Sequence, residues 1–238
     1  MLAAGQDRCV TPAHRIRASQ RRHLRLLAGF YNARPGAGAR MAKEPPLDIA
    51  AGRRLLFDVV DLLERHDIPY HLEGGTLLGL VRDGDLLPWD HDLDISIPAS
   101  DIARVDFARR LELRLKFWRL SLRRFAADAP EHGWRAGQTR ILKIAKRHLV
   151  FGRGWPRLDI FAKYSAAGRV SWVAKDRIMS VDERHYAGFD TVAYQGRRLR
   201  IPLGVEDYLA AKYGEWRTPV REWDCGKDEG TIVADFKG

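Results

Sequence analysis

The sequence predicts an α+β fold, with α/β layers built around one central sheet. Three observations carry this expectation. Residues 48–66 repeat apolar side chains at helical spacing, and residues 90–97 alternate with a period of two. Helix-like and strand-like segments then follow one another to about residue 213. At 238 residues and 45% apolar composition, the chain can bury such a core as one domain or one and a half.

Residues 1–46 read as a separate basic segment. Arg15, Arg17, Arg21, Arg22, Arg25, Arg34 and Arg40 crowd a stretch almost without acids, while Ile16, His23, Leu24, Leu27 and Tyr31 fit one helix face. Pro35-Gly36-Ala37-Gly38 and Pro45-Pro46 then read as a linker. The main domain is expected over 47–225. Asp48 caps a helix to His66, its buried stripe made by Leu55, Leu56, Val59, Leu62 and Leu63. Tyr70–Leu72 reads as a strand, Gly74-Gly75 as a strand-to-helix turn, and Thr76 to Val81 as a helix. Ser100 or Asp101 caps a second long helix to about Arg114. Strands are expected at Phe117–Leu122, Thr139–Ala145, Trp155–Phe161 and Gly196–Ile201, with Ala126–Gly137 as a loop and a hairpin at 169–174. A Pro202-led helix ends at Tyr213-Gly214, and residues 226–238 read as a tail.

The chemistry concentrates in Gly74 to Ile97. Asp90, Asp92, Asp94 and Ser96 share one parity, with Leu93, Ile95 and Ile97 on the other. On a strand Asp92 and Asp94 therefore project from one face, roughly 6.5–7 Å apart. Carboxylates that close repel unless a cation sits between them, and oxygen-only ligands suit magnesium or manganese. An EF-hand loop starting at Asp90 would need Gly and Glu where Ile95 and Asp101 stand, so that class is excluded. A solvated edge strand also carries charge, but usually of mixed sign or rich in lysine. Glycines opening a helix let backbone amides approach phosphate; alone, Gly74-Gly75 is as consistent with a plain turn.

Taken together, Glu73-Gly74-Gly75-Thr76-Leu77-Leu78-Gly79-Leu80-Val81-Arg82 and Pro88-Trp89-Asp90-His91-Asp92-Leu93-Asp94-Ile95 resemble the signature of the LicD/fukutin-related family. His91 stands where many bacterial members have Asp. The likeness extends to Asp159-Ile160-Phe161 and to the segment from Ile201 to Trp223, covering about residues 50–225. It implies a nucleotidyltransferase-like mixed sheet flanked by helices. It also implies transfer of phosphocholine or a polyol phosphate from a CDP-linked donor (choline, ribitol, glycerol or similar) to a glycan or glycolipid. By that resemblance Asp92, Asp94 and Asp159 are the catalytic and metal-holding carboxylates, with Asp90 a further ligand or an orienter of His91. Asp159 would hold a second ion or accept the acceptor's proton. Gly74, Gly75 and Thr76 would cradle the donor phosphates, with Arg82 adding donors. Trp89 would stack on a base or belong to the core.

A net charge of +10 favours anionic partners without choosing among them. The basic N-terminal segment suits peripheral contact with anionic membrane, or a solvated helix or leader. It lacks interleaved aromatics or any nucleic-acid motif, so nucleic acid is not expected. Cys9 and Cys225 form neither a metal-spaced pair nor a disulfide framework. With no apolar run of membrane-spanning length and no signal-peptide core, the expected location is cytoplasmic, or peripheral at the membrane's inner face. Two other classes share these features: an Asp-x-Asp glycosyltransferase using a nucleotide-sugar, and a non-catalytic binding domain retaining the fold.

Overall fold

The computed structural model describes residues 46–106, 118–148, 152–220 and 222–237. The basic helix and linker expected before residue 46, Cys9, and the continuation of a helix beyond residue 106 lie outside the described residues.

Helix α1 (Ile49–Arg65) starts where Asp48 accepts a hydrogen bond from the Ala51 amide at 3.0 Å. Its stripe of Leu55, Leu56, Val59, Val60, Leu62 and Leu63 is buried, and it stops at His66, before Asp67 turns at positive φ. Strand β1 (His71–Leu72) leads to α2 (Gly74–Arg82) and β2 (Leu93–Pro98). Then come β3 (Trp118–Arg124), β4 (Thr139–His148) and a long β5 (Gly152–Ala166). Strands β6 (Arg169–Ala174) and β7 (Arg177–Asp182) form a hairpin, and β8 (Asp190–Tyr194) pairs with β9 (Arg197–Ile201) in a separate ribbon. Helix α3 (Val205–Tyr213) ends at Gly214, and β10 (Ile232–Asp235) closes the order.

The eight-stranded sheet is mixed and flanked by helices. Its strands run β1-β2-β5-β6-β7-β10, with β4 also on β5 and β3 beyond it. The length of β5 explains the branching, since residues 158–163 pair with β2 while residues 164–166 pair with β6. The β2–β5 pair is parallel, and its register sets Leu93 beside Leu158, Asp94 beside Asp159 and Ile95 beside Ile160. Antiparallel β4 adds Lys143 beside Asp159, with Leu142 and Ile144 on the other parity. One face of the sheet is thus apolar and joins the α1 stripe in a single core. The opposite face carries the charges.

Four expectations change. The hairpin expected at 169–174 is the single strand β6, and β7 supplies the hairpin's second arm. The Gly74-Gly75 pair is the first turn of α2 rather than a turn before it, because Glu73 is the N-cap. Strand β2 begins at Leu93, so Asp90 and Asp92 lie just ahead of it. Residues 226–238 are no plain tail: β10 pairs with β7, and Glu229 and Thr231 are buried.

Candidate active site

Asp94 and Asp159 are partners on adjacent parallel strands and leave the sheet by the same face. Asp92, two residues earlier, joins them from the approach to β2. Burial pushes the Asp92 carboxyl up to about 7, helped by the charges of Asp159 and Asp90. Burial and then Asp92 hold Asp94 well above the usual carboxylate range. Burial also raises Asp90 and Asp159, the latter against the pull of Lys143. Lys143 is ion-paired to Asp159.

The glycines fit these carboxylates closely. Gly74 adopts φ +54, and a Cβ there would overlap the Asp94 carboxylate. A Cβ on Gly75 would overlap that of Asp90. Both glycines line the cleft, but the room they leave is taken by carboxylates. Thr76 is placed otherwise than expected. It is 2% exposed, and its hydroxyl accepts the Asp94 amide at 2.9 Å, pinning α2 to β2 instead of facing a phosphate. Arg82 does line the cleft, with its fork held by both oxygens of Asp83 at 2.8 Å.

The cleft has a volume of about 490 Å³. Its floor is the start of α2 with Asp90, Asp92 and Asp94, and Trp89, Tyr213, Trp216 and Trp223 add aromatic wall. Tyr213 and Trp223 pack with ring centres 5.0 Å apart. The indole N–H groups of Trp216 and Trp223 are buried with no hydrogen-bond partner among the described residues. Buried unpaired donors on a cleft wall are what a ligand oxygen would satisfy. A second cavity, of about 200 Å³, shares Asp92 with this cleft as a lining residue.

Beneath the floor lies a charge network that sequence reasoning missed. Glu73, 2% exposed, accepts hydrogen bonds from the hydroxyls of Tyr208 and Tyr186 and pairs with Lys163 at 2.7 Å and Lys212 at 2.9 Å. Burial alone would raise its carboxyl; the two ammoniums hold it well below the ordinary range. Lys163 sits 3.1 Å above the Trp172 ring, and burial lowers its ammonium to about 7. The local signal was a glutamate between an apolar strand and two glycines, where an N-cap is due.

The carboxylate set fits a divalent cation in chemistry: oxygen donors only, close enough to repel one another, with Asp90, Asp92 and Asp94 on the open cleft and Asp159 on the second cavity. Among the described residues, no three His, Cys, Asp or Glu side chains are already drawn together as a ligand shell.

The family profile described as LicD/FKTN/FKRP, nucleotidyltransferase domain, matches residues 67–203, more than half of the chain. The chain belongs to this family. It is 41% identical over 68 residues to the ribitol 5-phosphate transferase FKRP of human and mouse, a match covering 29% of this chain and 14% of those. It is 42% identical over 43 residues to the lipopolysaccharide cholinephosphotransferase LicD of Haemophilus influenzae, covering 18% of this chain and 16% of that one. The chain thus spans less than a fifth of the length of these curated relatives. Among solved structures, the lincomycin-bound lincosamide adenylyltransferase LnuA superposes loosely, with a TM-score of 0.40 and 16% identity over 66% of this chain and 83% of that one.

Proposed function

We propose that this protein is a metal-dependent phosphotransferase. It moves phosphocholine, or a polyol phosphate such as ribitol or glycerol phosphate, from a CDP-linked donor to a hydroxyl of a glycan or glycolipid. The observation that carries this reading is the in-register Asp94–Asp159 pair on β2 and β5, joined by Asp92, which lines both the open cleft at the α2 start and the second cavity. Family membership, and the activities for which the two relatives are named, support the class of reaction.

Asp92, Asp94 and Asp159, with Asp90 beside them, are the residues that would hold magnesium or manganese. Such an ion would supply charge neutralisation at the donor's diphosphate. The aromatic wall takes the nucleotide, and the two unpaired indole N–H groups meet its oxygens. The start of α2 and the Arg82 side chain face the phosphates. In the transfer, the acceptor oxygen bonds to the phosphorus that bears the choline or polyol. The P–O–P bridge breaks, and CMP leaves with the electron pair. The acceptor's proton passes through the carboxylates between the two cavities to water. Positioning and electrostatics account for most of such catalysis.

The basic residues 1–46 and the expected glycan acceptor together support work at the cytoplasmic face of a membrane, with that segment contacting anionic lipid. No helix among the described residues is long and apolar enough to cross a membrane.

The test measures nucleotide release from CDP-choline, CDP-ribitol and CDP-glycerol, with UDP-sugars as the contrast. CMP should appear from a CDP-alcohol only with divalent metal present, and Asp94→Asn should abolish it while the melting temperature stays within a few degrees. Turnover of a UDP-sugar instead, or full turnover in excess chelator, would overturn the reading.

A further inference from the structure

The charged face of the sheet is graded from one edge to its centre. On edge strand β3, Arg119, Ser121 and Arg123 alternate onto one face, while Leu120 and Leu122 turn towards the core. The register then crosses the sheet in rows. Ser121 is beside Lys143, Lys143 beside Asp159, and Asp159 beside Asp94. One row along, Arg119 is level with Ala145 and Ala145 with Arg157. Cations therefore lead up to the carboxylates on a single surface, and that surface is concave. The second cavity, about 200 Å³, is lined by Arg119, Ser121, Arg123, Lys143 and Arg157 together with Asp92 and Asp159.

Arginines on an edge strand often serve only to keep other strands away. Two features point further here. The arginines share a hollow with the reaction's carboxylates, and Asp92 lines both that hollow and the cleft at the α2 helix start. Displacement at phosphorus brings the entering oxygen and the leaving oxygen in from opposite sides. If the donor fills the aromatic cleft, the acceptor enters through the basic hollow. Four cations against two carboxylates make that hollow positive, and a plain sugar hydroxyl has no use for such a charge.

We propose that the basic hollow on β3, β4 and β5 is an acceptor subsite for a sugar or polyol that already carries a phosphate ester near its reactive hydroxyl. Arg119 and Arg123 grip that phosphate, and Ser121 adds a hydroxyl to it. Lys143, now bound to Asp159, is in place to turn to the incoming anion and leave that carboxylate free. The assignment of donor and acceptor to the two cavities rests on the proposed reaction; the anion site itself does not.

The experiment therefore has two arms on the full chain. In the first, calorimetry compares ribitol 5-phosphate with ribitol, and glycerol 3-phosphate with glycerol, with no nucleotide present. The phosphate esters should bind and the neutral alcohols should not. Arg119→Gln/Arg123→Gln should weaken the esters by about tenfold or more. Equal binding of ester and alcohol, no binding of either, or an unchanged double variant would overturn the proposal, even if no CDP-alcohol is ever turned over. In the second arm, transfer is followed with the CDP-alcohol that the enzyme accepts. The double variant should raise KM for the phosphorylated acceptor while leaving KM for the donor and its metal-dependent hydrolysis by water unchanged. A raised donor KM would instead assign the hollow to the donor's own phosphates. Comparing the soluble esters with vesicles carrying the same phosphate on a lipid separates a free from a lipid-linked source.

Discussion

Glu73 and Lys212 form an ion pair at 2.9 Å with side chains only 2% and 3% exposed. Lys212 pairs equally closely with Glu229, and Lys163 completes two carboxylates and two ammoniums. Glu73 also caps α2, so this buried quartet fixes the helix start on which the cleft carboxylates rest. Removing one partner of a buried pair leaves an uncompensated charge and costs about 3–5 kcal/mol. Lys212→Met should lower the urea midpoint accordingly, and Glu73→Gln should do likewise. A loss below about 1 kcal/mol would mean that the quartet behaves like a surface pair.

Asp92 and Asp94 give a pH dependence with a definite sign. Burial and mutual repulsion raise both, Asp92 to about 7, whereas unfolded aspartate titrates near about 4. The folded metal-free protein thus holds these protons more tightly than the unfolded chain. For Asp92 that contribution to stability is fully present below about pH 4 and is lost as pH rises through about 7; for Asp94 it is lost only well above the usual carboxylate range. A cation needs the deprotonated forms. Magnesium should therefore raise the melting temperature markedly near pH 8 and hardly at all near pH 5.5. Equal shifts at both pH values would remove these carboxylates as its ligands.

The contact between Gly75 and Asp90 can be tested as a pair. Gly75→Ala alone drives a methyl group into the Asp90 carboxylate, so stability and donor turnover should both fall. Adding Asp90→Ala removes the clash and should recover most of the stability, giving strong coupling in the double-mutant cycle. Additive losses would mean that the glycine serves only the helix turn.

Trp223→Phe keeps a ring against Tyr213 while deleting an unpaired indole N–H. Loss of one hydrogen bond to ligand should weaken the donor about three- to tenfold. Stability should change little, because the free protein loses no bond. Unaltered donor affinity would leave the indole without a ligand role.

Much of this was legible because it is local. The Asp94 and Asp159 strands each carry their own period-two pattern, and Asp48 with the leucine stripe marks α1 without outside help. What the sequence hid depends on distant partners. Thr76 resembles a phosphate ligand until the Asp94 amide takes its hydroxyl. Lys163 reads as routine strand alternation and becomes a buried charge only against Glu73 and Trp172. Arg119 and Arg123 counted as net charge, because only the β3–β4–β5 register sets them in line with Asp159. Glu229 and Thr231 look unremarkable because their burial comes from Lys212 and from Ser180, whose amide bonds to the Thr231 carbonyl.

That last feature bears on how the molecule is made. Ribosomes deliver the chain from its N-terminus, so Glu73, Lys163 and Lys212 are all in place before Glu229 emerges. Until then Lys212 lacks one of its two carboxylates and shares Glu73 with Lys163, a shortfall of counter-charge that apolar surroundings reject. We infer that the nascent protein keeps this region open, within reach of chaperones and proteases, and seals it only when the strand bearing Ile232 arrives. Stalled chains released from the tunnel up to about residue 225 should be cut readily around α3, whereas chains exposing residue 236 should resist. Equal resistance in both would place closure earlier in synthesis.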